Sequence, residues 1–411
     1  MPRSKILVLA TLALVLASAL ARGQESIEAI LAEEYSALES IEAQIQAQEY
    51  DYPILWLEKQ IGAVERSSHR YSPELIRPLT LLGDAKVGSG DYNGALDHYQ
   101  RAVHLSRVND GLNSSAQIEI VYREANAYKA LGNLSDANDR EEYAYHVLTR
   151  VHGPHDEELL PGVYHLAEWY GATQDIFSAR ALYEHAVSIL SANGKQGSAI
   201  AIPAYQGIAR TYRLERFPPF YVSKGDSGPI SVNDFPAGER ALQQIIQIHR
   251  DDADLNPVVL AEAMLDLADW YLLFDKTRRA FPLYDDVYAM LSEAEGFAVA
   301  DFFAEPKLLY FPAPQDPRVP PLGMRGERKE GFVEVAYKIS KTGYARSLKT
   351  IGAEPQGLMD FRVRKSLRLS RYRPALVEGR SMAKFNQTYR HQFAYFPKLE
   401  TAETMEATKG E

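Results

Sequence analysis

The chain has 411 residues, 46% of them hydrophobic and 24% charged, with a formal net charge of −10. These are the proportions of a soluble globular protein long enough for two or three domains. No cysteine occurs, which excludes disulfides, thiolate metal sites and a cysteine-borne lipid anchor.

The first 21 residues begin with basic Arg3 and Lys5, continue as an apolar run from Ile6 to Ala21, and end with small Ala19 and Ala21. That is the pattern of a cleaved secretory signal, and an uncleaved anchor is the weaker reading because the run is shorter than the roughly 20 residues a spanning helix needs. No later segment is apolar enough to cross a bilayer. The expectation is an exported chain, free in its compartment once residues 1–21 are removed.

A repeat follows. Ala95, Ala137 and Ala179 are 42 residues apart, and Tyr128, Tyr170 and Tyr212 keep the same step. In the first copy, Gly83 and Ala95 lie on two successive helices where close packing needs a missing side chain, Tyr99 and Ala102 continue the second apolar face, and Gly88, Gly90 and Asn93 form the turn. The second copy, 116–148, places Glu124 and Glu141 where apolar residues are expected. The third repeats the pattern with Val163, Leu166, Ala167, Tyr170, Ala179, Tyr183 and Ala186. The fourth begins at Tyr205, Ile208, Ala209 and Tyr212, is interrupted by an insertion at 217–238, and resumes near Ala241. The fifth uses Met264, Leu267, Ala268, Tyr271, Ala280 and Tyr284, and residues 25–68 read as a divergent capping pair.

These residues resemble the tetratricopeptide repeat signature, and the 42-residue step with "HGPHDEELLPGVYHLAEWY" is similar to the longer repeats of kinesin light chains. Each unit cannot bury its apolar face alone, so the copies are expected to stack into a solenoid over 25–300. Its inner groove would be lined by the first helix of each pair. By register, Tyr122, Asn126, Lys129, Tyr164, Glu168, Arg210 and Arg213 would face a partner there.

Prolines 306, 312, 314, 317, 320 and 321 prevent helix and central strand, so 301–326 reads as a semi-rigid linker. Beyond it, Phe332 to Ser340 and Tyr344 to Ile351 alternate as a hairpin, Leu358 to Leu369 has helical spacing, and Met382 to Phe396 alternates again. With Gly331, Val333, Val335, Tyr337, Gly343, Leu358, Asp360, the "RYRPA" turn at 371–375, Gly379 and Phe393, residues 327–398 resemble the C-terminal domain of TonB-type energy transducers. The expected architecture is therefore mostly α: a TPR-type α-solenoid, then a small α+β domain of β-β-α-β order.

The TonB resemblance implies a periplasmic module that pairs an exposed strand with an extended peptide of an outer-membrane receptor, in TonB-dependent transport. An edge strand has unpaired N–H and C=O groups suited to that, and Ala383 to Phe396 is the expected edge. The energy transducers keep a membrane anchor and a long spacer, whereas this chain is expected to lose its hydrophobic segment and has only a short spacer, so an adaptor is expected in place of a transducer. Residues 327–398 carry a net +10, the acidic tail 399–411 a net −3 and residues 1–326 a net −17. Arg364, Lys365 and Arg368, with Phe385 and Tyr389 of the last strand, are the candidate contacts of this domain. The basic helix also fits an alternative, an envelope module holding anionic glycopolymer. The tail is expected to be disordered.

Two stretches imitate chemistry. "GDSGP", 225–229, looks like a serine-protease nucleophile segment, but the second glycine of that motif is missing and no double β-barrel is indicated. "HGPHDEE" brings His152, His155 and Asp156 together without a fourth ligand, and reads as a loop between repeats. The expectation is a non-enzymatic binding protein that takes no cofactor, metal or nucleic acid, with proteins of the bacterial envelope as partners.

Overall fold

A computed structural model describes residues 36–219, 235–254, 256–322 and 326–397. The expected signal segment, the centre of the expected insertion with Ser227, and the acidic tail lie outside the described residues. The chain divides into two compact units, 1–162 and 163–411. Its architecture is mostly helical, with a small region of antiparallel strands at the C-terminal end.

The first unit consists of helix pairs. Helix α1 is described over residues 36–46, followed by α2 (Asp51–Ser67), α3 (Ile76–Gly88), α4 (Tyr92–Asp110), α5 (Ile118–Ala130) and α6 (Leu134–His152). The 42-residue step is written in the helix ends. Asp91 and Asn133 cap α4 and α6 by accepting the backbone N–H three residues on, and Gly111 and Gly153 end those helices at φ 94° and 93°. Ser72 and Ser114 cap the short 3₁₀ turns that lead into α3 and α5. Between paired helices the apolar faces interdigitate, and a Cβ on Gly83 would lie 2.3 Å from the ring of Tyr99.

Glu124 and Glu141, at positions where the repeat expects apolar residues, are indeed inside, 1% and 3% exposed. Arg140 approaches Glu124 Oε2 at 3.8 Å, and burial pushes the Glu124 carboxyl up to about 7 against the pull of Arg140 and Arg107.

The second unit continues with most of α7 (Leu160–Ala172), then α8 (Ile176–Ala192), α9 (Ile202–Arg216), α10 (Phe235–Arg250), α11 (Pro257–Leu273), α12 (Thr277–Glu293) and the short α13 (Val299–Phe302). The same code recurs, with Asp175 capping α8 through the N–H of Ser178, and the Tyr183 ring lying where a Cβ on Gly207 would overlap it at 2.4 Å.

After α13 come β1 (Lys307–Tyr310), β2 (Lys329–Ile339), β3 (Ala345–Glu354), α14 (Asp360–Leu369), β4 (Arg371–Arg373), β5 (Ala375–Val377), β6 (Arg380–Met382) and β7 (Lys384–Tyr395). The main sheet has the order β3-β2-β7, all antiparallel. Alternation along β2 turns Val333, Val335, Tyr337 and Ile339 inward, where they meet Met359 and the α14 residues Val363 and Leu367.

Two sequence expectations are revised here. The segment read as a linker is held at its start: Phe303 is 1% exposed and shares a core with Leu376, whose N–H donates to the Phe303 carbonyl at 2.9 Å. Directly after it, β1 pairs with β4, and Phe311 packs on Tyr389 at 5.1 Å. Prolines forbid a ladder only where they stand, and the run Lys307–Tyr310 between them is free to pair. "RYRPA", read as a turn, is two short strands on either side of Pro374, and Arg371 to Ala375 are all buried.

Candidate functional site

Of the expected groove residues in the first unit, Asn126 and Lys129 stand exposed one turn apart on α5. Tyr122 is half-buried against the core, and burial with the nearby Glu141 carboxylate pushes its hydroxyl up. "HGPHDEE" is a built loop: Asp156 accepts the N–H of Glu158 at 2.9 Å, and Glu158 Oε2 lies 2.9 Å from His152 Nδ1. Among the described residues no group of three or more His, Asp or Glu side chains could hold a metal ion.

In the second unit, Tyr164 on α7 packs against Tyr183 at 6.4 Å, and Glu168 and Arg210 both act on the Tyr183 hydroxyl, the first raising its pKa and the second lowering it beneath the larger effect of burial. The structure thus brings Tyr164, Glu168 and Arg210 to one place. Arg210 and Arg213, exposed and one turn apart on α9, border a cavity of about 250 Å³ whose other walls include Asp266, Asp269 and Trp270 of α11. Asp266 is open to solvent at the rim yet set within the concave wall. Lost solvation raises its carboxyl and Asp269 adds to this, with Arg373, Lys307 and Arg213 pulling the other way. Trp270 is 3% exposed, and its indole nitrogen has no hydrogen-bond partner among the described residues. A cavity with two open guanidiniums, an indole wall and a carboxyl suits a polar, extended chain. Asp266 and Trp270 were not read from sequence as groove residues; their only signal was a place on the first helix of the fifth copy.

In the C-terminal region β7 pairs with β2 alone among the described residues, from Lys329↔Tyr395 to Tyr337↔Gln387 without a break. The opposite edge strand β3 has two register shifts and a residue, Ser347, at φ 55°. Bulges of that kind blunt an edge, so β7 is the flatter template. Its inward face is an aromatic row, Tyr389, His391, Phe393 and Tyr395, with successive rings 6.4, 6.1 and 6.0 Å apart. Tyr389 is therefore half-buried in the sheet core. Phe385, 61% exposed, stands outside it with Lys338 Nζ 6.0 Å from its ring. Arg364 and Lys365 are partly buried on α14, and Arg368 is exposed.

Arginines of β4 join this region to the last helix pair. Arg373 binds both carboxylate oxygens of Asp269, at 2.9 and 2.6 Å, and Asp269 also accepts the Tyr284 hydroxyl at 2.7 Å. Arg371 donates to the Leu272 carbonyl at 2.9 Å, pairs with Asp275, and lies 3.4 Å over the ring of Tyr344. Both arginines are 3% exposed, so their charges are met entirely by the α11 end and its surroundings.

No protein-family model matches the sequence, and no curated protein is significantly similar to it. Solved structures similar in fold include tetratricopeptide-type repeat proteins. BtubC (BKLC) from P. vanneervenii is 14% identical over 68% of this chain and 97% of that one, with a TM-score of 0.41. Nearly identical TPR-like repeats of a kinesin-light-chain type from Podosopora anserina are 16% identical over 55% of this chain and 99% of that one, TM-score 0.41. The TPR2AB domain of yeast Sti1 in its pHSP90 complex is 15% identical over 65% and 95%, TM-score 0.24.

Proposed function

We propose that the protein is a non-catalytic adaptor of the bacterial periplasm: its helical repeats hold one polypeptide, and β7 pairs with an extended segment of a second. The carrying observation is β7 itself, a twelve-residue strand bonded on one side and regular in register over its outer length. A partner strand completes the backbone hydrogen bonds of such an edge, and the groove around Arg210 and Arg213 offers the helical region a separate polar contact. Gly331, Tyr337 and Phe393, quoted for the TonB-type resemblance, sit in or against this sheet and support an outer-membrane receptor peptide as the second partner. The apolar run after Arg3 and Lys5 supports export.

Photo-crosslinking residues placed at Thr388 on β7 and at Arg210 on α9, in cells, test this. Discrete polypeptide adducts are expected at both, to different partners, and fractionation should find the chain in the periplasm beginning after Ala21. The absence of polypeptide adducts at Thr388 would end the β7 reading.

The cationic face of α14, where Arg364, Lys365 and Arg368 accompany an exposed Phe361, favours a second reading in which this domain holds anionic glycopolymer. Binding to purified sacculi that falls steeply with salt, and falls again in Arg368→Glu, is its expected signature.

A further inference from the structure

We infer that the first unit contains a binding site for a small organic anion, a carboxylate on an apolar body, at the junction of the first and second repeat copies. A cavity of about 540 Å³ opens there between the last turns of α4, the loop after Gly111 and one face of α6. Tyr143, His146, Val147 and Arg150 follow the i, i+3, i+4, i+7 spacing of a single helix face, and Arg107, Leu112 and Asn113 close the other side. Two arginines and a histidine line the cavity and no carboxylate of the described residues does, Glu124 acting on Arg107 only through space, although residues 1–326 as a whole are strongly acidic.

Cations are favoured at the last turn of any helix, which accounts for one arginine on each of α4 and α6. It does not account for Gln117. That residue is completely buried at the place in the 3₁₀ turn where the neighbouring copies, 42 residues away on either side, put Leu75 and Leu159. A primary amide in a core is costly unless all its bonds are made. Here its nitrogen donates to the carbonyls of Leu112 and Ser114 at 2.9 and 3.1 Å, and its oxygen accepts Arg107 Nε–H and the Tyr143 hydroxyl, both at 2.9 Å. The result is an arginine fixed by a buried side chain and laid over the Tyr143 ring at 4.7 Å. Its terminal N–H groups are hydrogen-bonded to nothing among the described residues.

This orientation is particular to one junction. The positions 42 residues to either side are Glu65 and Thr149 for Arg107, and Val108 and Ala192 for Arg150, so the neighbouring junctions cannot build the same pair. Leu112, 71% exposed, and Val147 supply an apolar wall beside the cations. The charge pattern admits an anion, and the wall favours one with a short aliphatic or aromatic body.

Isothermal titration of the full chain with sodium octanoate in low salt is the test. One saturable site is expected, weakened about tenfold or more in Arg150→Gln, whose exposed side chain can be changed without loss of the fold. Gln117→Leu separates binding from structure: it restores the apolar residue of the other copies, so the thermal midpoint should hold or rise while octanoate binding falls. Absence of saturable binding, equal affinity in Arg150→Gln, equal binding of 1-octanol, or loss of the site in Arg210→Gln would each overturn the assignment.

Discussion

Two joints in this molecule are built from the same three groups and differ in what supplies the third. In the first unit, Asp84 on α3 accepts the Tyr99 hydroxyl at 2.7 Å and Arg123 Nε at 3.0 Å, and Arg123 comes from the first helix of the next copy. In the second unit, Asp269 on α11 accepts the Tyr284 hydroxyl at 2.7 Å, but the arginine is Arg373 of β4, because no further copy follows. In both, the aspartate precedes its tyrosine by 15 residues. The last helix pair is thus finished by a strand offering the charge that another repeat would have offered. A solenoid needs a polar or covered end, and here the C-terminal region is that cover. The two joints differ in burial: the Arg123 side chain is 37% exposed and that of Arg373 4%.

That difference sets the largest expected effect. Asp269→Ala leaves Arg373 buried without its partner, and should cost on the order of 3–5 kcal/mol in chemical denaturation of the second unit, with protease cleavage appearing between Phe303 and Lys329. A loss no larger than that of Asp84→Ala would break the comparison.

The second copy provides an acid whose arginine stands farther off, Arg140 at 3.8 Å from Glu124 Oε2. Glu124 titrates near 7 in the fold against an ordinary 4.5, so the folded state holds the proton more tightly than the unfolded chain. Its contribution is most favourable below about 4.5, declines as pH rises from there to 7, and the full cost applies above 7. Glu124→Gln should flatten that slope and stabilise the protein above pH 7 by on the order of 2–3 kcal/mol, read from urea midpoints at pH 5 and 8. Unchanged slopes would show that Arg140 and Arg107 answer the buried acid in full.

Gly83→Ala drives a Cβ against the Tyr99 ring and should cost about 1–3 kcal/mol in a thermal melt. It tests whether the joint requires the tyrosine to lie flat on its helix. The smallest effect belongs to Asp84→Ala, about 1 kcal/mol, because solvent screens Arg123 and can hydrate it once its partner is gone. Substitution of Arg123 by Met should then cost no more.

Much of the repeat region was legible because its periodicity is local. Ala95, Ala137 and Ala179 mark close helix contacts that any copy needs, and each recurs at 0% exposure. Glu124 and Glu141 could be recognised as misfits, but not how the fold would treat them, since that depends on Arg140 approaching Glu124 and Arg107 acting on it through space. In the C-terminal region the strand alternation gave β2, β3 and β7 with only small changes of boundary. The aromatic residues of β7 were harder to divide: Phe385 and Tyr389 look alike in sequence, and a bulge with Asn386 at φ 56° lies between the exposed ring and the half-buried one.

By itself, then, the amino-acid order determined the helix pairs, their 42-residue step, the caps and the strand–strand–helix–strand succession, because each follows from contacts within a few tens of residues. Only the tertiary structure decided that Arg371 and Arg373 are buried against α11, that Lys307–Tyr310 pairs with β4, and that Gln117 aims Arg107 at a cavity. Bidentate ion pairs and short ladders form between groups as much as 104 residues apart, and their partners are selected by the geometry of packing, which no local pattern encodes.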